Sequence, residues 1–403
     1  MQITLLAISC IALAIWLYLA FARGAFWRLR EFDDDTAKHA ALTAWPRVTA
    51  IIPARNEAAT IAQVLASLLK QNYAGDFSIV LVDDHSEDAT AQIARQAASE
   101  LNAESRVHIC AAPPLPASWT GKLWALNEGV SQSLCRGAAL LRPSLATTVP
   151  SATPTYYWFT DADIVHGPDT LQRLVARAER DHLDLASLMV LLQANTLPER
   201  ALIPAFLFFF LKLYPPRWIA DPKARTAGAA GGCILLRREA LERIGGFAAI
   251  RYEVIDDCAL ARAVKRSGGR LWMGLTRASI SLRAYTTFRK TRDLIARTAF
   301  TQLRYSPPLL LGTLLAMFLT YLTPIALLFV HHSSTRILGA SAWLLMSLLY
   351  LTTIRFYRLS PAWAATLPLS ALFYSYATVL SAARYYLGRG AQWKGRSQVK
   401  LPG

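Results

Sequence analysis

An apolar run without a charge, Thr4 to Phe21, opens the chain, and Arg23, Arg28 and Arg30 follow it. Charge after the run rather than before it predicts a retained transmembrane helix over residues 1–24, with its N-terminus outside and the next domain in the cytosol. Residues 25–46 read as a juxtamembrane linker, polar and irregular from 31 onward. From Val48 buried strands alternate with helices. Val48–Ile52 is a short continuous apolar strand, and Ile61, Val64, Leu65, Leu68 and Leu69 recur at helical spacing. Strands at Phe77–Val82 and Val107–Cys110, a helix over Lys122–Ser131, and the strand Tyr156–Thr160 follow. A helix after Pro168 and a strand at Leu185–Leu192 come next. Residues 136–155, rich in Pro, Ser, Thr and Ala, read as a loop insertion. Such alternation predicts an α/β domain with a mostly parallel sheet over 47–290.

Leu202–Leu213 is apolar but too short to span a bilayer. It suits either a core helix or a helix lying in the headgroup region, and the Lys, Arg and Trp around it favour the second. Three further candidate spans, Leu309–Val330, Ile337–Ile354 and Ala362–Ala383, fill a C-terminal membrane region over 291–403. Three crossings would carry the basic tail, with Arg384, Arg389, Lys394, Arg396 and Lys400, to the outside, against the positive-inside rule.

Composition agrees with a membrane protein. Hydrophobic residues make up 54% of the 403, and the net charge is +16. The basic residues form no single tract and no nucleic-acid-binding motif occurs, so the charge reads as the flank of membrane helices and not as a nucleic-acid surface. The five cysteines are scattered with no Cys-x-x-Cys, which argues against a disulfide framework or a zinc site.

The candidate chemistry sits at strand ends, where α/β sheets bind ligands. Asp161-Ala162-Asp163 follows Tyr156–Thr160. Two carboxylates one residue apart suit Mg²⁺ or Mn²⁺, hard cations that take one or two protein oxygens and fill the rest of their shell with phosphate. Pro53-Ala54-Arg55-Asn56-Glu57 leads from a strand into a helix whose N-terminal N–H groups offer a seat for a nucleotide. Asp83-Asp84-His85-Ser86 ends the next strand, and its carboxylates suit a ribose or nucleobase edge. Each segment alone also suits an ordinary cap or a solvated turn. Their order along the chain is what carries weight.

In that order the chain resembles the family 2 glycosyltransferases, inverting enzymes of the GT-A fold, over about residues 47–290. Thr120-Gly121-Lys122-Leu123-Trp124-Ala125-Leu126-Asn127 is similar to the family's Gly-Lys-x-x-Ala-Leu-Asn segment. Gly231–Leu241 with Ile244-Gly245-Gly246-Phe247 is similar to its acceptor-side strand and helix. Ile255-Asp256-Asp257-Cys258-Ala259-Leu260 is similar to the segment supplying the catalytic base. The resemblance implies Asp257 as base with Asp256 as understudy. It implies nucleotide-sugar contacts from Pro53, Arg55, Glu57, Asp84, Lys122 and Asp161, and a divalent cation on Asp163 and Asp161. The membrane segments and Gly390-Ala391-Gln392-Trp393-Lys394-Gly395-Arg396 resemble the hopanoid-biosynthesis-associated members, which implies a lipid acceptor at a bacterial inner membrane.

Processive members carry Gln-x-x-Arg-Trp near the membrane junction. Here Thr301-Gln302-Leu303-Arg304-Tyr305 departs from it at both ends, which argues for transfer of a single sugar. The expected activity is transfer from a nucleoside-diphosphate sugar to a lipid hydroxyl. Polyprenyl phosphate is the alternative acceptor, with Arg217, Arg225, Arg237 or Arg283 as its partner. A non-catalytic membrane scaffold with a degenerate transferase domain is the alternative from another class.

Overall fold

A computed structural model describes residues 2–33, 42–139, 153–390, 392–393 and 396–397. Part of the expected linker, most of the expected loop insertion, and Lys394 and Lys400 of the basic tail lie outside the described residues.

Eight strands form the main sheet: β1 (Val48–Ala54), β2 (Phe77–Asp83), β3 (Val107–Ala111), β4 (Tyr156–Thr160), β5 (Ile164–Val165), β6 (Leu185–Leu191), β7 (Cys233–Arg237) and β8 (Leu271–Ser281). Their order is β3-β2-β1-β4-β7-β6-β8-β5. The pairs β1·β2, β2·β3, β1·β4 and β6·β8 are parallel; β7 runs against both neighbours, and β5 against β8. All seven residues of β1 are buried, as expected for a strand covered on both faces. Pro53 is tolerated in this central strand because pairing with β4 stops at Ile51.

In chain order the helices are α1 (Gln2–Phe21), α2 (Ile61–Leu69), α3 (Thr90–Glu100), α4 (Gly121–Ala139), α5 (Thr170–Arg180), α6 (Leu197–Leu213), α7 (Pro216–Ala220), α8 (Arg238–Arg243), α9 (Asp256–Arg266), α10 (Phe288–Ala296), α11 (Ala299–Gln302), α12 (Pro307–Met317), α13 (Thr323–Ala326), α14 (Ser333–Phe356) and α15 (Leu367–Tyr386). The GT-A-like α/β sheet lies between α1 and the helices after residue 306.

The apolar run at 202–213 is a core helix. Leu202, Ala205, Leu207, Phe208 and Leu211 of α6 are buried in the largest hydrophobic cluster, beside Tyr350 of α14 and Tyr374 of α15. Its N-terminus is fixed by a capping box between Thr196 and Glu199. The flanking Lys212 does not face open water, since its ammonium donates to Tyr321 Oη at 2.7 Å.

Among the described residues, three helical segments are long and apolar enough to cross a membrane: Gln2–Phe21, Pro307–Phe329 and Ser333–Phe356. The second holds a π-helical turn at Phe318–Leu322 just before Pro324. Such a turn leaves carbonyls short of donors, and the Trp16 indole N–H fills one at Thr320 O, 2.8 Å away.

The expected third C-terminal span is not among them. A 3₁₀ turn, Pro361–Thr366, takes its first residues, and α15 carries Ser370, Tyr374, Ser375, Tyr376, Thr378 and Ser381. Two of those hydroxyls reach another helix: Ser370 Oγ and Tyr374 Oη donate to the carbonyls of Ala201 and Leu202 in α6. Arg384, at the end of α15, bonds Asp293 of α10 at 2.6 Å. The described helix after residue 366 thus packs back on α6 and α10.

Gly129 of α4 faces β1 and β2 so closely that a Cβ there would stand 2.4 Å from Ile51 Cγ2. Ala normally stabilises a helix interior over Gly by about 1 kcal/mol, whereas overpacking costs about 1–3 kcal/mol. The steric term wins, so Gly129→Ala is expected to lower the thermal unfolding midpoint of the full chain in detergent. An unchanged or raised midpoint would show that the helix can shift.

Candidate active site

The ends of β1, β4 and β8 and the starts of α4 and α9 enclose a cleft of about 220 Å³. Pro53, Glu57, Lys122, Asp161, Asp163, Asp256 and Asp257 all line it, together with Ser281, Arg283 and Tyr285. Most residues singled out in the sequence therefore meet at one place.

The Asp161–Asp163 turn is anchored from both sides. Thr60 Oγ1 donates to Ala162 O at 2.9 Å, and Leu282 N donates to Asp163 O at 2.7 Å. Asp163 Oδ2 accepts from Ser281 Oγ at 3.1 Å and lies 3.2 Å from Arg283 Nε. The other arm of Arg283 reaches Glu57 Oε1 at 2.9 Å. Burial and the neighbouring Asp161 raise the pKa of Asp163, and Arg283 opposes the rise.

Lys122, on the first turn of α4, bridges Asp161 Oδ1 at 2.8 Å and Asp256 Oδ2 at 3.2 Å. Burial alone would lower its pKa. The carboxylates of Asp161, Asp256 and Asp257 outweigh burial and hold the ammonium charged.

Asp256 and Asp257 open α9, where the helix dipole favours negative charge. Asp257 accepts from Gly231 N at 2.9 Å and Cys258 N at 2.7 Å. Burial and then the Asp256 charge push its pKa up to about 6. A Cβ at Gly231 would lie 3.2 Å from Asp257 Oδ2 and 3.4 Å from Lys122 Nζ, so a larger residue there would press on both side chains.

Two expected contacts stand elsewhere. Arg55 is buried and donates to Asp84 O at 2.6 Å and His85 O at 3.0 Å, with Glu87 at 3.1 Å, so it knits the loops after β1 and β2 together. Asp84 is fully buried behind it. Nor is the start of α2 an open seat for a nucleotide. Asn56 N, Glu57 N and Ala58 N already donate to Ser86, Thr90 and Asp88. The conserved geometry of helix N-termini is used here to join two loops.

One wall went unread in the sequence. Phe206 and Phe210 of α6, Leu294 of α10, and Met189, Val190 and Val254 give the cleft an apolar side. The segment departing from the processive motif lies near this wall: Gln302 Nε2 donates to Tyr214 Oη at 2.7 Å. Arg304 and Tyr305 both take positive φ, 53° and 56°, a conformation costly for residues other than glycine.

A mostly parallel sheet with carboxylates gathered beyond its strand ends, and an apolar wall beside them, is the GT-A arrangement of glycosyltransferases. Residues 49–245 match the family model described as Glycosyl transferase family 2. The fold is shared with the mannosyltransferase PcManGT from Pyrobaculum calidifontis, solved in complex with GDP-Man and Mn²⁺. The two are 19% identical, the match covers 94% of this chain and 99% of that one, and the TM-score is 0.51. TarS from S. aureus is 15% identical over 77% of this chain and 44% of its own, at a TM-score of 0.39, and carries no weight here. No curated protein matches the chain in sequence.

Replacing Lys122 by Met leaves Asp161, Asp256 and Asp257 facing one another without their shared cation. Removing one partner of a buried ion pair costs about 3–5 kcal/mol, and partial exposure of Asp161 puts this site at or below the lower end. Thermal unfolding of Lys122→Met in detergent is expected to show a clear loss at pH 7 that shrinks as the carboxylates protonate at lower pH. Equal stability at both pH values would rule out the bridge.

Proposed function

We propose that this protein is a membrane-bound inverting glycosyltransferase that moves one sugar from a nucleoside-diphosphate sugar to a lipid hydroxyl, with a hopanoid as the first acceptor to test. The observation that carries the proposal is Asp257. Its carboxylate, with a pKa pushed up to about 6, faces the same cleft as Asp161 and Asp163 and the apolar wall of Phe206, Phe210 and Leu294. A base poised near the working pH is what a hydroxyl nucleophile requires.

The roles follow from position. The acceptor oxygen attacks the anomeric carbon, the bond from that carbon to the diphosphate oxygen breaks, and Asp257 takes the hydroxyl proton. Asp256, already bonded to Lys122, holds that ammonium toward the leaving diphosphate. Pro53 and Glu57 border the donor side, with Arg55 and Asp84 shaping the loops behind it. Lys122 and Arg283 supply positive charge where the diphosphate charge develops.

Asp161 and Asp163 suit a hard divalent cation. They are two carboxylates one residue apart, and among the described residues no group of three or more His, Cys, Asp or Glu side chains is placed to hold a metal, so an ion on this pair would have to take its other ligands from phosphate. Bound there, Mg²⁺ or Mn²⁺ would supply Lewis-acid stabilisation of the leaving diphosphate. The Mn²⁺ in the PcManGT complex supports this reading.

The apolar segments α1, Pro307–Phe329 and Ser333–Phe356 support a membrane location with the domain on the cytosolic side, in a bacterial inner membrane. We keep the boundaries 1–24, 25–46, 47–290 and 291–403 for its parts. The structure gives the phosphate-acceptor alternative little. Arg217, Arg225 and Arg237 do not line the cleft, Arg237 bonds Glu179 at 2.9 Å, and Arg283 is held by Glu57 and Asp163.

Detergent-purified protein is expected to release nucleoside diphosphate from one nucleotide sugar in a hopanoid-dependent way. Asp257→Asn should lower transfer by about 10²–10⁴-fold, the usual worth of a general base, with donor affinity retained. In the wild type the rate should fall as pH drops through about 6, because the base is protonated below its pKa. Undiminished transfer by Asp257→Asn would sink the base assignment and favour an acceptor that is already ionised.

The metal assignment has its own test. Mn²⁺ titrated into protein and followed by electron paramagnetic resonance should bind in the presence of nucleoside diphosphate and lose affinity in Asp163→Ala. Equal Mn²⁺ affinity in the variant would remove Asp163 as a ligand.

A further inference from the structure

A second cavity, of about 440 Å³, lies between α10, α11 and the end of α15, and Arg297, Arg384 and Arg389 line it with Asp293 as its one acidic wall. Asp293 is already committed, bonded to Arg384 at 2.6 Å and to Arg292 at 2.9 Å. The guanidinium groups of Arg297 and Arg389 make no hydrogen bond or ion pair with any described residue. Three arginines against one neutralised carboxylate leave an excess of positive charge in a concave site.

The remaining walls are amphipathic. Tyr305 and Tyr385 stack with centroids 4.5 Å apart, and Ser381 and Thr301 add hydroxyls. The site sits where the chain passes from the α/β domain into the apolar segment beginning at Pro307. Arg297 also lines the catalytic cleft, so the two cavities share a wall.

We propose that this cavity binds the phosphate of an anionic lipid headgroup. Guanidinium forks match phosphate oxygens in pairs, and basic pockets at the cytoplasmic ends of membrane helices are where anionic headgroups bind. Tyrosines at that level belong to the membrane–water boundary. A bound headgroup would clamp α10 to α15 and hold the mouth of the catalytic cleft at the leaflet surface. The inference rests on the membrane reading above, but not on the transfer reaction.

The test is binding of a short-chain phosphatidylglycerol to the full chain in detergent, read by native mass spectrometry and by thermal shift without any sugar donor. Arg297→Gln combined with Arg389→Gln is expected to weaken binding about tenfold or more, a loss near 1.4 kcal/mol, while Arg304→Gln, outside the cavity, binds as the wild type does. Short-chain phosphatidylcholine should bind much more weakly. Lipid binding that is absent in the wild type, or equal in the double variant, overturns the proposal. Inorganic phosphate competing at the affinity of the lipid would also overturn it, by making the site one for soluble phosphate. Because the readout is binding, a protein inactive in transfer can still bind the lipid, and the two readings fail separately.

Discussion

Everything at the cleft depends on how two cations share five carboxylates. Glu57, Asp161, Asp163, Asp256 and Asp257 converge from three separate parts of the chain, and unpaired they would repel one another strongly in a half-buried space. Lys122 joins the strand-end turn to the start of α9, and Arg283 joins the same turn to the loop after β1. Each cation therefore ties donor-side carboxylates to another element. The arrangement is stable without ligand and close to what a diphosphate needs, since a bound diphosphate could draw on the same positive charge.

The sheet sets this up by geometry alone. β1, β2 and β4 run parallel, so their polar loops leave from one edge, while buried β1 keeps the edge rigid. The antiparallel β7 and the long β8 bring the second half of the site to the same edge, through Gly231 before β7 and Ser281 at the end of β8. α6 then closes the open side. Its burial against α14 and α15 makes the wall of the cleft and the contact with the apolar helices one and the same element. The carboxylate cleft and its apolar wall are thus joined through α6, with Glu199 accepting from Tyr285 N at 2.7 Å as a further tie.

Much of this was legible in the sequence, because it rests on local signals. Continuous apolar runs gave the strands of the first half, and the Asp pairs after them gave the strand ends. What the sequence hid was pairing across long separations. Arg283 is 120 residues from Asp163, the residue it neutralises, and no local pattern marks that bond. The N–H groups before α2 looked open because the loop that consumes them belongs to the next strand. The third C-terminal span failed for a similar reason. The serines, tyrosines and Arg384 of α15 dilute its apolar run below that of the other spans, and Ser370 and Tyr374 find their partners in α6, a contact far away in sequence.

The choice of Asp257 over Asp256 turns on what each carboxylate already holds. Asp256 is paired with the Lys122 ammonium at 3.2 Å, which suits it to hold that cation in place. Asp257 is held by the main-chain N–H groups of Gly231 and Cys258, with burial and Asp256 acting against its charge. Two adjacent carboxylates are thereby driven to different jobs by their surroundings. Gly231 leaves the room in which Asp257 and Lys122 approach one another, since a larger residue there would press on both.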